Sequence, residues 1–499
     1  MNQINTHNRH FLVVFGKNRK DIISNLQNYL DNKVIITNTN MCTYFVNNIY
    51  YSGLPDKPII TDKIELFLQG LIFPYNVTLD EFSEQPERYL KEMIEKHRND
   101  LTKIPYSIRN GSYYGVAYDE TDDAFYAFTC FLNSIPLYYS KVGSCLIVSN
   151  DLCLLAQLLN LELKVSKGLI EYYVLGTNVS EYTAFEEIRA IPKGGYLKFK
   201  GNSITIDYYY TMPTEEKPAR KFDDYVDEFA SIWEENVNAL HSEKFNYGLG
   251  LTGGVDSRLI FSAMENKNKP IFFTGSHPEH PDYLIAKKIT ESLKLNNHYL
   301  EDYRFVDSLT GYAEYCSMSD NPLLANTIYT SQQMKFRQEH NILYELIGRT
   351  ELIGGRLHYR DMRNILSPIK RSLPLKRTPI KKSSLYKLIK LGLRNQTFDE
   401  DINLFGEHIL NSYPQFQMYL QELIMPQIGI CYDEETFLER FRHIYHLENL
   451  QSWTSLSKRR IDETLAPSMN MDMTNFTCKI PLEFREEEKI FFAYFKRYN

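Results

Sequence analysis

Short apolar runs separated by polar turns open the chain: Phe11-Leu-Val-Val-Phe15, Val34-Ile-Ile36 and Met41 to Ile49. Runs of this length between turn residues predict a β-rich beginning. Helical spacing is read at about 61–71 and 87–98. Gly111-Ser-Tyr-Tyr-Gly-Val-Ala-Tyr118 and Ala124 to Phe131, joined by Glu-Thr-Asp-Asp, predict a hairpin. Pro136-Leu-Tyr-Tyr139 and Cys145-Leu-Ile-Val-Ser149 predict two more strands, and 151–159 and 168–175 read as helices. Ile188 to Phe199 continues into a last strand pair ending at Tyr208-Tyr-Tyr210.

The pattern then changes. Residues 211–221 carry two Pro and several charges and read as a linker. An amphipathic helix is expected over Phe222 to Leu240. Strand Asn246 to Leu251, a glycine turn, a helix from near Ser257 and strand Pro270-Ile-Phe-Phe-Thr274 form a strand–helix–strand unit. A helix over 283–293 and the run His298-Tyr-Leu300 continue the alternation, and helical patterns dominate 398–465. Such alternation predicts a doubly wound parallel sheet, in which ligands sit at the carboxyl ends of the strands.

Composition narrows the field. At 499 residues, two or three domains are expected. A formal net charge of −7 argues against general nucleic-acid binding. The seven cysteines include no Cys-x-x-Cys pair, so free thiols in a reducing cytoplasm are expected. The start shows no positive-then-apolar signal pattern. No apolar run approaches the length of about 18 residues that suggests a membrane span.

The chemistry concentrates in Tyr247-Gly-Leu-Gly-Leu-Thr-Gly-Gly-Val-Asp-Ser-Arg258. Gly253 and Gly254 remove Cβ atoms where the backbone must turn and approach something closely. Thr252 and Ser257 supply hydroxyls, and the following helix start offers amide N–H groups to an anion. Asp256 suits that place only if a cation such as Mg²⁺ bridges it to phosphate. Neither a Walker A nor a dinucleotide-binding glycine spacing is present. His277 and His280 read as ordinary loop histidines, with no third metal-ligand type nearby.

The loop 252–257 resembles the Ser-Gly-Gly-x-Asp-Ser loop of the ATP-pyrophosphatase superfamily, with Thr252 for the first Ser. The first half resembles the glutaminase-type domain of asparagine synthetases through Gly111-x-x-Tyr-Gly-Val-Ala-Tyr-Asp119, Ile135-Pro-Leu-Tyr-Tyr139, Val148-Ser-Asn-Asp151 and Ala184-Phe-Glu-Glu-Ile-Arg-Ala-Ile-Pro-Lys-Gly194. The resemblance implies an α/β protein in three parts. A degenerate, antiparallel αββα sandwich of Ntn type spans 1–210, a linker 211–221, and an ATP-binding synthetase domain 222–499. The last comprises a doubly wound parallel sheet and a helical C-terminal part. The resemblance also implies ATP and Mg²⁺ as cofactors. The loop would be contacted through Leu251, Thr252, Gly253, Gly254, Asp256 and Ser257. Phe273 and Thr274 stand at the edge that accepts adenine in relatives, and Gly348 in the next matching segment. Asp256 and Glu351 are the implied metal ligands, and Lys489 and Glu351 the catalytic candidates, with Lys496 second to Lys489.

Departures from the family pattern shape the expectation. Asn2 stands where the family carries its nucleophilic cysteine, Cys130 replaces an aspartate that holds glutamine, and Asn133 replaces a glycine. A carboxamide cannot take the nucleophile's part, so no glutamine hydrolysis is expected. Leu346-Ile-Gly-Arg-Thr-Glu-Leu-Ile-Gly-Gly-Arg356 keeps Gly348, Glu351, Gly354 and Gly355, but Thr350 takes the place of a metal-binding Asp and Ile347 that of an acid-base Glu. Either Glu351 takes over the metal from one position along, or the site is weakened. The implied activity is an ATP-dependent amide-bond-forming ligase acting on a small-molecule or peptide carboxylate, as in the β-lactam-forming and peptide-cyclising branches. Asparagine synthetase proper and a non-catalytic scaffold are the alternatives. The basic stretch 356–394 reads as a solvated insertion or a docking face for an acidic partner. A homodimer is possible, and neither nucleic acid nor membrane is an expected partner.

Overall fold

The computed structural model describes residues 11–27, 34–46, 54–131, 135–164, 181–301, 335–350, 352–354 and 463–498, with isolated positions within 166–180 and 418–440. Two antiparallel six-stranded sheets come first and a parallel five-stranded sheet follows, a mixed α/β arrangement as the patterning implied. The strands of the first half are β1 (Phe11–Phe15), β2 (Ile35–Asn38), β3 (Cys42–Val46), β4 (Ile59–Thr61), β5 (Ile64–Pro74), β6 (Ile108–Asp119), β7 (Ala124–Thr129), β8 (Tyr138–Val142), β9 (Cys145–Ser149), β10 (Arg189–Ala190), β11 (Gly195–Lys200) and β12 (Ser203–Tyr208). One sheet runs β10-β8-β9-β1-β3-β2 and the other β12-β11-β7-β6-β5-β4.

Successive side chains of a strand point to opposite faces, and here the inner strands of both sheets are covered on both faces, while the edge strands β2 and β12 are largely exposed. Phe11, Val13, Tyr44, Phe67, Tyr114 and Val116 meet in one core, with the Phe11 and Phe67 rings stacked at 5.2 Å. The intervening Leu12 and Val14 pack with Leu154 and Leu155 of the helix Leu152–Leu158. Leu66, Leu68 and Ile72 pack with Leu90, Met93 and Ile94 of the helix Pro86–His97.

The expected helix at 61–71 is not formed; the chain there is the end of β4 and most of β5. β5 lies between β4 and β6 and every residue of it is buried, so its apolar run carries no two-residue alternation to betray a strand. Gly70 sits at φ +116, and a Cβ there would collide with the Ser112 carbonyl, so only glycine lets β5 and β6 close. The hairpin over 111–131 and the strand at 145–149 form as expected. Most of 168–175 and of 398–465 lies outside the described residues.

The parallel sheet runs β15 (His298–Glu301), β14 (Ile271–Gly275), β13 (Asn246–Gly250), β16 (Ile342–Leu346), β17 (Glu463–Leu465). The helices Phe222–Asn238, Val255–Ala263 and Lys489–Tyr498 share one core with it. The Trp233 indole N–H donates to the Leu259 carbonyl at 3.1 Å, satisfying its polar end where no water reaches. Leu71, Phe73 and Leu79 of the first half belong to this same core. The Phe73 ring meets Tyr344 edge-on at 5.5 Å. Polar contacts reinforce the junction: the Tyr75 hydroxyl donates to Asp472 at 2.6 Å, and Asp80 accepts the amide of Glu243 at 2.8 Å.

Candidate functional site

The turn after β13 sits at the carboxyl end of the middle strand of the parallel sheet. Sheet pairing persists to Leu251, whose N–H donates to the Phe273 carbonyl at 2.9 Å. The Thr274 hydroxyl donates to the Leu251 carbonyl at 2.6 Å. The backbone then turns through Thr252, Gly253 and Gly254, and Gly254 caps the helix Val255–Ala263.

Each amide of the turn has an acceptor. Thr252 N–H donates to the Ser257 hydroxyl at 3.1 Å, and Gly254 N–H to the Thr252 hydroxyl at 3.1 Å. Gly253 N–H donates to a carboxylate oxygen of Asp282 at 3.0 Å. Asp282 stands in the first turn of the helix Pro281–Ser292, whose amino end His280 caps by accepting the Asp282 N–H at 3.2 Å. A Cβ on Gly253 would meet the end of the Ile285 side chain at 2.8 Å, so the turn and that helix are in close contact. The Asp282 carboxylate therefore occupies an anion position beside the turn.

Asp256 lies in the first turn of its helix, and the segment after β16 closes over it. A Cβ on Gly348 would overlap the Asp256 side chain. The fully buried Thr350 donates its hydroxyl to Asp256 Oδ1. The structure thus brings Leu251, Thr252, Gly253, Gly254, Asp256, Ser257, Gly348 and Thr350 together. Glu351, the other expected metal ligand, lies outside the described residues, as do Asn2, Asn133, Gly355 and 356–394.

Phe273 and Thr274 are buried, and their side chains face internal partners. The Thr274 hydroxyl lies 2.9 Å from His298 Nε2, and the Arg337 guanidinium lies over the Phe273 ring at 4.4 Å. Only their backbone can offer anything to a ligand at this edge. Burial pushes the His298 pKa below its ordinary value. Ile347 pairs its N–H with the Leu465 carbonyl at 2.9 Å and packs its side chain against the core of the first half. Lys489 is exposed and directs its ammonium to the Glu483 carbonyl at 2.8 Å, within its own segment. Lys496 is exposed in the last turn of the final helix.

Sequence reading overlooked Asp282 as a loop partner, although Pro281-Asp282 at a helix start was a visible signal. It also missed the pair Arg337–Glu345, both buried, at 2.7 Å. In the first half, Cys42 and Cys130 are buried, and burial pushes the Cys42 thiol pKa up, away from the thiolate form. Cys42, Cys145 and Cys153 are free thiols. His277 and His280 accept neighbouring backbone N–H groups, and no cluster of three metal-ligating side chains occurs among the described residues. No helix among the described residues is long and apolar enough to cross a membrane.

Fold and site define an α/β protein with a glycine turn, two hydroxyls and two carboxylates, Asp256 and Asp282, at the end of its central parallel strand. No family model matches the chain, and no curated protein matches it. Among solved structures it is similar to a glutamine phosphoribosylpyrophosphate amidotransferase from B. subtilis complexed with ADP and GMP. That match has 9% identity over 60% of this chain and 68% of the other, with a TM-score of 0.27. It is also similar to an allosteric regulatory enzyme of purine biosynthesis, at 7% identity over 60% of this chain and 76% of the other, TM-score 0.27. A likeness at that TM-score is coarse and carries no argument about activity.

Proposed function

We propose that this protein is an ATP-dependent ligase that forms an amide bond. Residues 222–499 are proposed as the synthetase domain, 1–210 as a non-hydrolysing Ntn-like domain and 211–221 as the linker between them. A carboxylate oxygen of the substrate attacks the α-phosphorus of ATP, the bond to the β-phosphate bridging oxygen breaks, and pyrophosphate leaves. An amine or ammonia nitrogen then attacks the activated carbonyl carbon and loses a proton, and the carbon–oxygen bond to AMP breaks. Activation supplies the leaving group that a carboxylate lacks, and fixed dipoles around the phosphates supply the stabilisation.

The observation that carries this reading is the convergence of Gly348 and Thr350 on Asp256 beside the 252–254 turn. Gly253 and Gly254 leave the turn without Cβ atoms, and Thr252 and Ser257 place their hydroxyls in it, 3.1 Å apart. Mg²⁺ arriving with the nucleotide prefers oxygen ligands and keeps several from phosphate and water, so a single protein carboxylate fits it. Asp256 would hold it, with Glu351 proposed as a second ligand and acid-base group. Lys489 is proposed to counter negative charge during acyl transfer, its exposed ammonium turning from the Glu483 carbonyl to do so. A carboxylate-bearing small molecule or peptide is the proposed substrate.

Exchange of labelled pyrophosphate into ATP, screened over candidate carboxylates, tests the proposal. Exchange that disappears in Asp256→Asn is the expected result. A protein that binds no nucleotide and catalyses no exchange would overturn it. The occupation of the Gly253 amide by Asp282 favours one other reading, a nucleotide-binding scaffold without turnover, which would bind ATP yet exchange no label.

A further inference from the structure

The segment that covers Asp256 is fastened along its length. Ile347 N–H pairs with the Leu465 carbonyl at 2.9 Å, and the Ser468 hydroxyl donates to the Arg349 carbonyl. Gly354 N–H closes a turn onto the Thr350 carbonyl at 2.8 Å. The buried Arg485 donates to the Leu352 carbonyl at 2.7 Å and to the Ile480 carbonyl at 3.1 Å. Strand β17, the stretch after it and the short helix Leu482–Arg485 therefore all hold the backbone on either side of Thr350. A buried hydroxyl held this way has little freedom to seek another acceptor, and it is aimed at a carboxylate oxygen.

From this arrangement, and resting on the nucleotide reading above, we propose that Thr350 is a positioning residue for Asp256. Its hydroxyl fixes the plane of the carboxylate, so that the cation accompanying a triphosphate would meet a preset oxygen. Gly348 backs the same side chain, which limits the rotamers Asp256 can adopt. The consequence is a carboxylate whose geometry is set by the carboxyl-terminal segment through Ser468 and Arg485, not by its own helix alone.

Binding of Mn²⁺ to the full-length protein, followed by electron paramagnetic resonance with and without a non-hydrolysable ATP analogue, tests this directly. Thr350→Val keeps the shape and removes the donor. It should weaken nucleotide-dependent Mn²⁺ binding about tenfold, the scale of a hydrogen bond to a charged group. Thr350→Ser, which keeps the donor, should stay within about twofold of the parent. If Thr350→Val fails to fold, Thr350→Cys, a much weaker donor, takes its place. Equal binding by parent and Val variant, or a Ser variant as weak as the Val variant, would overturn the positioning role alone. Absence of any nucleotide-dependent Mn²⁺ signal in the parent protein would instead overturn the nucleotide reading and this inference with it.

Discussion

Replacing Asp282 by Ala frees the Gly253 amide. In the structure that N–H is spent on the Asp282 carboxylate at 3.0 Å, in a position that a phosphate oxygen would claim. A hydrogen bond to a charged acceptor contributes about 1.5–3 kcal/mol when shielded. The Asp282 side chain is 42% exposed, so water screens the contact, and we take about 1 kcal/mol as the working value. That energy must be surrendered before an anion binds, and the like charge of the carboxylate adds a screened repulsion. Pyrophosphate and ATP should therefore bind about fivefold more tightly to Asp282→Ala than to the parent. Asp282→Asn, which keeps an acceptor oxygen without the charge, should fall between them. Displacement of a fluorescent nucleotide by pyrophosphate reads this, and the difference between parent and variant should shrink as added salt screens the charge. Weaker pyrophosphate binding by the Ala variant would refute the reasoning. It would mean that Asp282 organises the turn for its ligand and does not compete with it.

Two further outcomes follow from buried groups near the site. Arg337→Met leaves Glu345 buried without its 2.7 Å partner and should cost about 3–5 kcal/mol, seen as a lowered urea midpoint, whereas Arg337→Met with Glu345→Leu should recover much of that loss. Burial lowers the His298 pKa, so the folded state favours the neutral ring while the unfolded chain takes up a proton below about 6.5. Its contribution is complete above that value and is lost as pH falls from it through the lower folded pKa. The thermal midpoint of His298→Asn should consequently decline less than the parent's between about pH 7 and about pH 5, and parallel declines would contradict this.

Much of the architecture could be read from residue order, for reasons that differ along the chain. The parallel sheet was visible because β13, β14 and β15 are short apolar runs separated by helices with their own spacing. The 111–131 hairpin declared itself through its acidic turn. β5 did not, because a strand buried on both faces carries an apolar run without alternation. The glycine turn and Asp256 were legible because local backbone demands choose those residue types. Their partners were not. Asp282 lies 29 positions beyond Gly253 and Thr350 lies 94 beyond Asp256, so only the folded sheet brings them into contact. Thr350 read as a departure from a family pattern, and its hydroxyl turned out to serve the very carboxylate it was expected to stand beside. The side chains of Phe273 and Thr274 are held inside the sheet, which strand position alone does not reveal.

The core that mixes Leu71, Phe73 and Leu79 with Tyr247 and Tyr344 has a consequence for any attempt to divide the molecule. The antiparallel half supplies apolar side chains that pack into the core of the parallel sheet. A carboxyl-terminal fragment begun in the 211–221 stretch would carry a raw apolar flank into water. It would cling to its neighbours unless the amino-terminal piece were made alongside it. The antiparallel half is thereby kept under the same packing constraint as the parallel sheet it covers.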